Sequence, residues 1–353
     1  MPVKITATDG TTDVIVPVIM TVPSGQLPSG GWPVVIFQHG ITGNRTHVLA
    51  LADSLAQAGY VAVAIDMPLH GITDTTSPFY QSGKERTFDL DLVSQNSLNQ
   101  VIGAGQDGVV DSSGTHFIQL TSLLTTRDNM RQAISDLVQL KSALSNVSGA
   151  SIDGSKVSFI GHSLGGMVGA GFVKRAPDLK AAVFAMSGLQ APYILANSAT
   201  FGSVINEGLK KVGIEPGSAE YAQFLLAAQT IVDSGDPVNM LSGITVPTLM
   251  LEVVGDGNEG TSDQVIPNRV STAPLAGTEP WITLQNLQTI TATVTGSTTI
   301  NGVIRYTAGT HKSILDPSAS LAVTTSMQTA AAAFVASNGT QVNVGSDTSV
   351  IKQ

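Results

Sequence analysis

Gly161-His162-Ser163-Leu164-Gly165 sets a serine two residues after one glycine and two before another. The reason for that spacing is steric. A nucleophile on a sharp strand-to-helix turn has strained backbone angles and crowded neighbours, and flanking glycines let strand and helix approach. The pentapeptide alone is weak evidence. Here a buried-strand pattern, Val157–Ile160, precedes it, and a third glycine, Gly166, opens a small-residue helix. A serine hydroxyl attacks a carbonyl only if a base takes its proton, and the resulting oxyanion needs two preorganised N–H donors. One donor is expected at Leu164, immediately after the nucleophile. The alternative reading is a plain glycine-rich turn.

Other elements must supply the remaining groups. Val14–Val22, Val34–Phe37, Val61–Ile65, Ala181–Met186 and Val246–Val254 read as further strands, several of them short continuous apolar runs suited to burial on both faces. Thr46–Ala58 and Thr126–Asn146 read as helices. The second carries a stripe of Met130, Ile134, Leu137, Val138 and Leu144. Thr289–Tyr306 reads as a hairpin, and Asp316-Pro317 as the cap of a last helix ending near Ala336. Alternating strands and helices predict an α/β fold with a mostly parallel sheet covered on both faces. The chain, 1–353, is read as one such domain. Two segments, about 73–121 and 190–243, interrupt the alternation and are expected to form a cap. Ligands of open α/β sheets sit at the C-terminal strand ends.

After strand Val246–Val254 comes an acidic loop offering Asp256, Glu259 and Asp263. Asp256 could instead brace the turn through backbone N–H groups, and a calcium site there would not have EF-hand spacing. His39 is expected to order the loop after Val34–Phe37. Asp66 and His70 are expected to brace the next loop. His47 and His116 have no motif around them and are expected to be exposed. His162 should point away from the serine it precedes.

Gln38-His39-Gly40, the Gly161–Gly166 turn, Asp263 and His311 together resemble the α/β-hydrolase fold over roughly residues 14–336. The resemblance implies the chain order Ser, acid, His. That order makes His311, in Ala308-Gly309-Thr310-His311-Lys312-Ser313, the base. Asp263 is favoured as the acid because Asp-x-Val-Ile-Pro resembles the usual surroundings of that residue, with Asp256 the alternative. The His-Gly-x form of the 39–43 loop implies Ile41 N–H as the second oxyanion donor. The fold class is thus an α/β-hydrolase fold with a helical cap, and no cofactor or metal is implied. A narrower likeness, to bacterial extracellular lipases of the virulence-factor type, rests on three stretches: Val35–Thr42, Asp233-Ser234-Gly235-Asp236-Pro237 and Ala273–Pro280. It implies hydrolysis of fatty acyl esters, lysophospholipid among them. Members of that family carry a signal or lipoprotein segment and an additional N-terminal region, which this sequence lacks; that fits a trimmed precursor.

The expected activity is serine carboxylic-ester hydrolysis. Phe201, Ile205, Tyr221, Phe224 and Leu225 of the cap are expected to meet an apolar acyl group. The rival readings are an acyltransferase or perhydrolase using the same residues, and a non-catalytic binding protein on the same fold.

Composition narrows the field. The 353 residues carry a net charge of -9, with 12% charged and 5% aromatic residues and no basic stripe, which argues against a nucleic-acid partner. The chain has no cysteine, so disulfides, a cysteine nucleophile and thiolate metal sites are excluded. Low charge and abundant Ser, Thr, Gly and Ala point to an exported protein without settling the compartment. The first ten residues lack a signal-peptide pattern, and no apolar run approaches the roughly 20 residues of a membrane span. Transient contact with a membrane surface is compatible with a lipid ester substrate. Oligomeric state is not legible.

Overall fold

The computed structural model describes residues 2–5, 14–147 and 149–353. The elements that position the site run in chain order: strands β1 (Pro2–Ile5), β2 (Val14–Thr21) and β3 (Trp32–Gln38), helix α1 (Ala52–Gln57) and strand β4 (Val61–Ile65). Next come β5 (Val93–Gln95), β6 (Val101–Ala104), α2 (Leu123–Ala143), β7 (Ile152–His162), α3 (Leu164–Arg175) and β8 (Ala182–Ala185). Three helices follow: α4 (Ala191–Asn197), α5 (Gly202–Lys210) and α6 (Ala219–Val232). The chain closes with β9 (Thr248–Val253), α7 (Thr278–Leu284), β10 (Gln288–Thr289), β11 (Asn301–Tyr306) and α8 (Leu321–Ala336).

Nine of these strands form one sheet, in the order β1-β2-β4-β3-β7-β8-β9-β11-β10. From β4 onward every neighbouring pair is parallel; β1–β2 and β2–β4 are antiparallel. The period-2 alternation of a strand sends successive side chains to opposite layers. In β3, Val34 and Ile36 enter the core beneath α2 and α3, with Phe159, Phe172 and Trp281. Val35 and Phe37 enter the opposite core beneath α1 and α8, with Leu55, Tyr306 and Phe334. Both layers are apolar, which is why the central strands read as unbroken hydrophobic runs. Among the described residues no helix is long and apolar enough to cross a membrane.

Three expectations need correction. Thr289–Tyr306 is not a hairpin: β10 and β11 run parallel, with Gln288 opposite Gly302, and Val294 bridges Val342 instead. Alternating Thr and apolar residues fit an edge strand of either direction, so the pattern could not tell them apart. The last helix starts at Leu321, not at Pro317. Ser320 caps it by accepting from Val323 N–H, while Asp316 braces a preceding turn through Ser318 N–H. Residues 45–51 form a tighter 3-10 turn ahead of α1, capped by Asn44, in place of one continuous helix from Thr46.

Candidate active site

The serine sits where β7 gives way to α3, with Ser163 at φ 56 and ψ -126. That conformation is costly for a residue with a Cβ, and it is held from several sides. Ser163 N–H donates to Ala185 O at 2.8 Å, and Ser187 Oγ donates to Ser163 O at 3.0 Å. Gly165 packs so closely on the backbone of Gln38 and His39 that a Cβ there would collide with both carbonyls. This contact joins the Ser163 turn to the loop after β3. Ser163 is 3% exposed. Among the described residues its hydroxyl makes no hydrogen bond.

His311 lies in the loop between β11 and α8, 8% exposed. Its Nδ1 is 2.7 Å from Asp263 Oδ2. Asp263 is buried, and its other oxygen accepts from Val265 N–H at 2.8 Å and Ile266 N–H at 3.0 Å. Of the two favoured acids, therefore, only Asp263 meets the imidazole. Asp256 is on the surface, where it accepts from Asn258 N–H and Thr261 Oγ–H; these bonds hold its pKa below the usual carboxylate value. Among the described residues no group of three or more His, Asp or Glu side chains is arranged to hold a metal ion.

His162, expected to point away from Ser163, instead packs its ring beside His311 and next to Gly40, which Ser163 also abuts. Its Nε2 donates to His311 O at 2.8 Å, and the two rings lie 5.0 Å apart. Burial, with the neighbouring His311, pushes its pKa down to about 3, so it stays neutral and keeps one N–H for that carbonyl. Only the fold brings these residues together, and no local pattern around His162 signals the contact.

The loop after β3 carries Ile41 past the serine. Its N–H and that of Leu164, the first residue of α3, are free of partners among the described residues. His39 orders this loop: its Nδ1 donates to Gly40 O at 2.8 Å, and its Nε2 accepts from Met67 N–H at 3.1 Å. Burial and the nearby His70 keep His39 neutral, as that bonding requires. Asp66 forms an ion pair with Arg45, and His70 Nδ1 donates to Pro68 O at 2.9 Å. His47 and His116 are not exposed. Both are half-buried, and His116 Nε2 contacts Asp111 at 2.7 Å.

Ser163 opens on an apolar cavity lined by Ile41, Leu164, Ile194, Leu195, Phe201 and Ile266, among others. A second apolar cavity lies beside it, sharing the walls Ile118, Leu164, Ala191 and Leu195. Ile205, Phe224 and Leu225 line this second cavity. Tyr221 lines neither; its hydroxyl donates to Asn206 Oδ1 at 2.8 Å and ties α6 to α5. Sequence patterns missed Ile118, Ala191 and Leu195, which look like ordinary core positions. Asp236 fixes one wall: its carboxylate accepts from Gln190 N–H and Ala191 N–H at the start of α4.

Residues 33–229 match the alpha/beta hydrolase fold family. The chain belongs to that family. Among solved structures it is similar to DcsB in complex with its substrate analogue, at 16% identity and TM-score 0.51, over 96% of this chain and 99% of that one. It is also similar to the acylaminoacyl peptidase of Pyrococcus horikoshii, at 11% identity and TM-score 0.50, over 99% of this chain and 43% of that one. The acetyl xylan esterase of Paenibacillus sp. R4 matches at 15% identity and TM-score 0.49, over 88% and 83%. At such identities the first two likenesses speak for the fold alone. No curated protein matches the sequence significantly.

Proposed function

We propose that this α/β-hydrolase-fold protein is a carboxylic ester hydrolase in which Ser163 is the nucleophile, His311 the base and Asp263 the acid. The observation that carries the reading is the 2.7 Å contact between His311 Nδ1 and Asp263 Oδ2, both buried, with His311 bonded through its carbonyl to His162, the neighbour of a serine held at positive φ. Asp263 accepts a hydrogen bond from His311 Nδ1–H, which fixes the tautomer that leaves Nε2 with its lone pair free. As Ser163 Oγ attacks the ester carbonyl, Nε2 takes its proton, and Asp263 stabilises the imidazolium. The N–H groups of Ile41 and Leu164 hold the oxyanion. His311 then protonates the leaving alcohol, and water, deprotonated by the same nitrogen, releases the acid from Ser163.

The substrate side is apolar. The cavities at Ser163 and beneath α6 have volumes of about 40 Å³ each. An engineered cavity that holds benzene is roughly 150 Å³. A short acyl group is therefore the natural fit to the molecule at rest. A longer chain would run past Leu195 into the second cavity, with the helices of 190–243 moving outward as a cap. The likeness of Val35–Thr42, Asp233–Pro237 and Ala273–Pro280 to extracellular lipases supports fatty acyl esters, including lysophospholipid, as the class to try.

The test is a panel of p-nitrophenyl esters of increasing chain length, with lysophospholipid and triglyceride, run on the parent and on Ser163→Ala. The proposal expects turnover by the parent and a loss of about 10⁴ or more in kcat for the variant. A folded Ser163→Ala protein with near-parent turnover would remove the assignment. Product analysis with added alcohols separates hydrolysis from acyl transfer.

A further inference from the structure

We infer that the inserted segment 73–121 clamps the loop that carries Ile41, with Glu85 and Ser113 as positioning residues for the oxyanion donor; this role rests on the ester-hydrolase reading. The loop is a poor candidate to hold itself. Thr42 is at φ 63, and among the described residues the turn's backbone closes on itself through one bond, Gly43 N–H to Gly40 O at 3.1 Å, beside the His39 ring on the same carbonyl. Beyond the turn, two anchors come from the inserted segment.

The first anchor is Ser113. Its Oγ donates to Gly43 O at 2.6 Å and accepts from Gly71 N–H at 3.1 Å. Gly114 follows, pressed so close that a Cβ on it would stand 3.0 Å from Thr42 N and run into the His70 ring. The second anchor is Glu85. Its two oxygens accept from Arg45 Nη1 and Nη2, both at 2.7 Å, in a fork-to-fork pair. The same carboxylate accepts from Gln81 N–H at 2.8 Å and Ile72 N–H at 3.0 Å, so it is itself fixed. Arg45 also pairs with Asp66 at the end of β4, and its own N–H donates to Asp66 Oδ1 at 2.6 Å. Arg45, Asp66 and Glu85 are all buried.

A buried ion pair is weak evidence for stability, because desolvation offsets much of the attraction; fixing a geometry is its better-supported use. Geometry is what an oxyanion donor needs. It must be in place before charge develops, and a displacement of about 1 Å can cost roughly 10²-fold in rate. The clamp thus explains why an otherwise irregular segment buries a carboxylate and a hydroxyl against this one loop.

Ser113→Ala and Glu85→Gln test the proposal, each shown to be folded by its thermal transition. The first readout is amide hydrogen exchange across residues 40–46, with α3 as internal control. Exchange of the loop should rise about tenfold or more while α3 is unchanged. This readout does not depend on catalysis, so it judges the clamp even if the chain hydrolyses no ester. The second is turnover of matched oxoesters and thionoesters. A sulfur anion accepts hydrogen bonds poorly and gains little from the donors. Both variants should lose about tenfold or more in kcat on the oxoester with KM within about twofold, and lose less on the thionoester. Unchanged loop exchange in both variants, or equal losses on the two ester types, would overturn the clamp. Absence of Ser163-dependent turnover in the parent would instead remove the ester-hydrolase reading, leaving loop exchange to decide whether the segment holds the loop.

Discussion

Replacing Asp263 by Asn preserves shape but weakens the acceptor facing His311 Nδ1, and lets the amide favour the wrong tautomer. We expect a fall of about 10³ to 10⁴ in kcat for this variant. Asp256→Asn should have a small effect on turnover, since its partners are the neighbouring Asn258 and Thr261. Steady-state kinetics on one short ester decide the ranking, and the reverse order would move the acid role to Asp256. The turn at Ser163 was legible because the glycines that let strand, helix and neighbouring loop approach it, Gly161, Gly165 and Gly166, are local in sequence. The pairing of Arg45 with Glu85 was not, because its two partners are 40 positions apart in segments without periodicity. The partner of His162 was hidden for the same reason: the acceptor is a backbone carbonyl, and any residue could provide it.

The helices of 190–243 carry two kinds of apolar residue that sequence spacing cannot separate. Phe224 lines a cavity, whereas Tyr221, three residues earlier on α6, bonds across to Asn206 on α5. Each buried substrate methylene contributes up to about 0.8 kcal/mol. Phe224→Ala should therefore shift the chain-length optimum toward longer or bulkier acyl groups while butyrate turnover persists. Tyr221→Phe should lower the melting temperature by a few degrees and leave the profile where it was. Measuring both quantities on both variants checks the division; a profile fixed in Phe224→Ala would place the acyl group elsewhere. Buried strands were legible as unbroken apolar runs, since both their faces meet a core. The direction of β10 against β11 was not, because an edge strand shows the same alternation whether its partner is parallel or antiparallel.

Across the whole molecule, the C-terminal ends of the parallel strands gather buried neutral histidines, and acid stability follows from them. Burial, with Arg86 nearby, pushes the His70 pKa down to about 4, and His162 is lower still, at about 3. In the unfolded chain these groups take a proton near 6.5. Between about pH 6.5 and 4 the unfolded state therefore binds more protons, so their contribution to stability is lost as pH falls. His70→Asn retains a donor for Pro68 O without the titration. Its melting temperature should fall less between pH 7 and pH 5 than that of the parent, and an equal fall would assign the effect to other groups.

The same strand ends carry the central claim, that Ser163 is an activated nucleophile. Covalent labelling by an alkyl fluorophosphonate, followed by peptide mass spectrometry, tests it most directly. The account predicts a single adduct on Ser163, with labelling slowed about 10²-fold or more in His311→Ala because the base is gone. An unlabelled Ser163 in the folded parent, or labelling indifferent to His311, would contradict it.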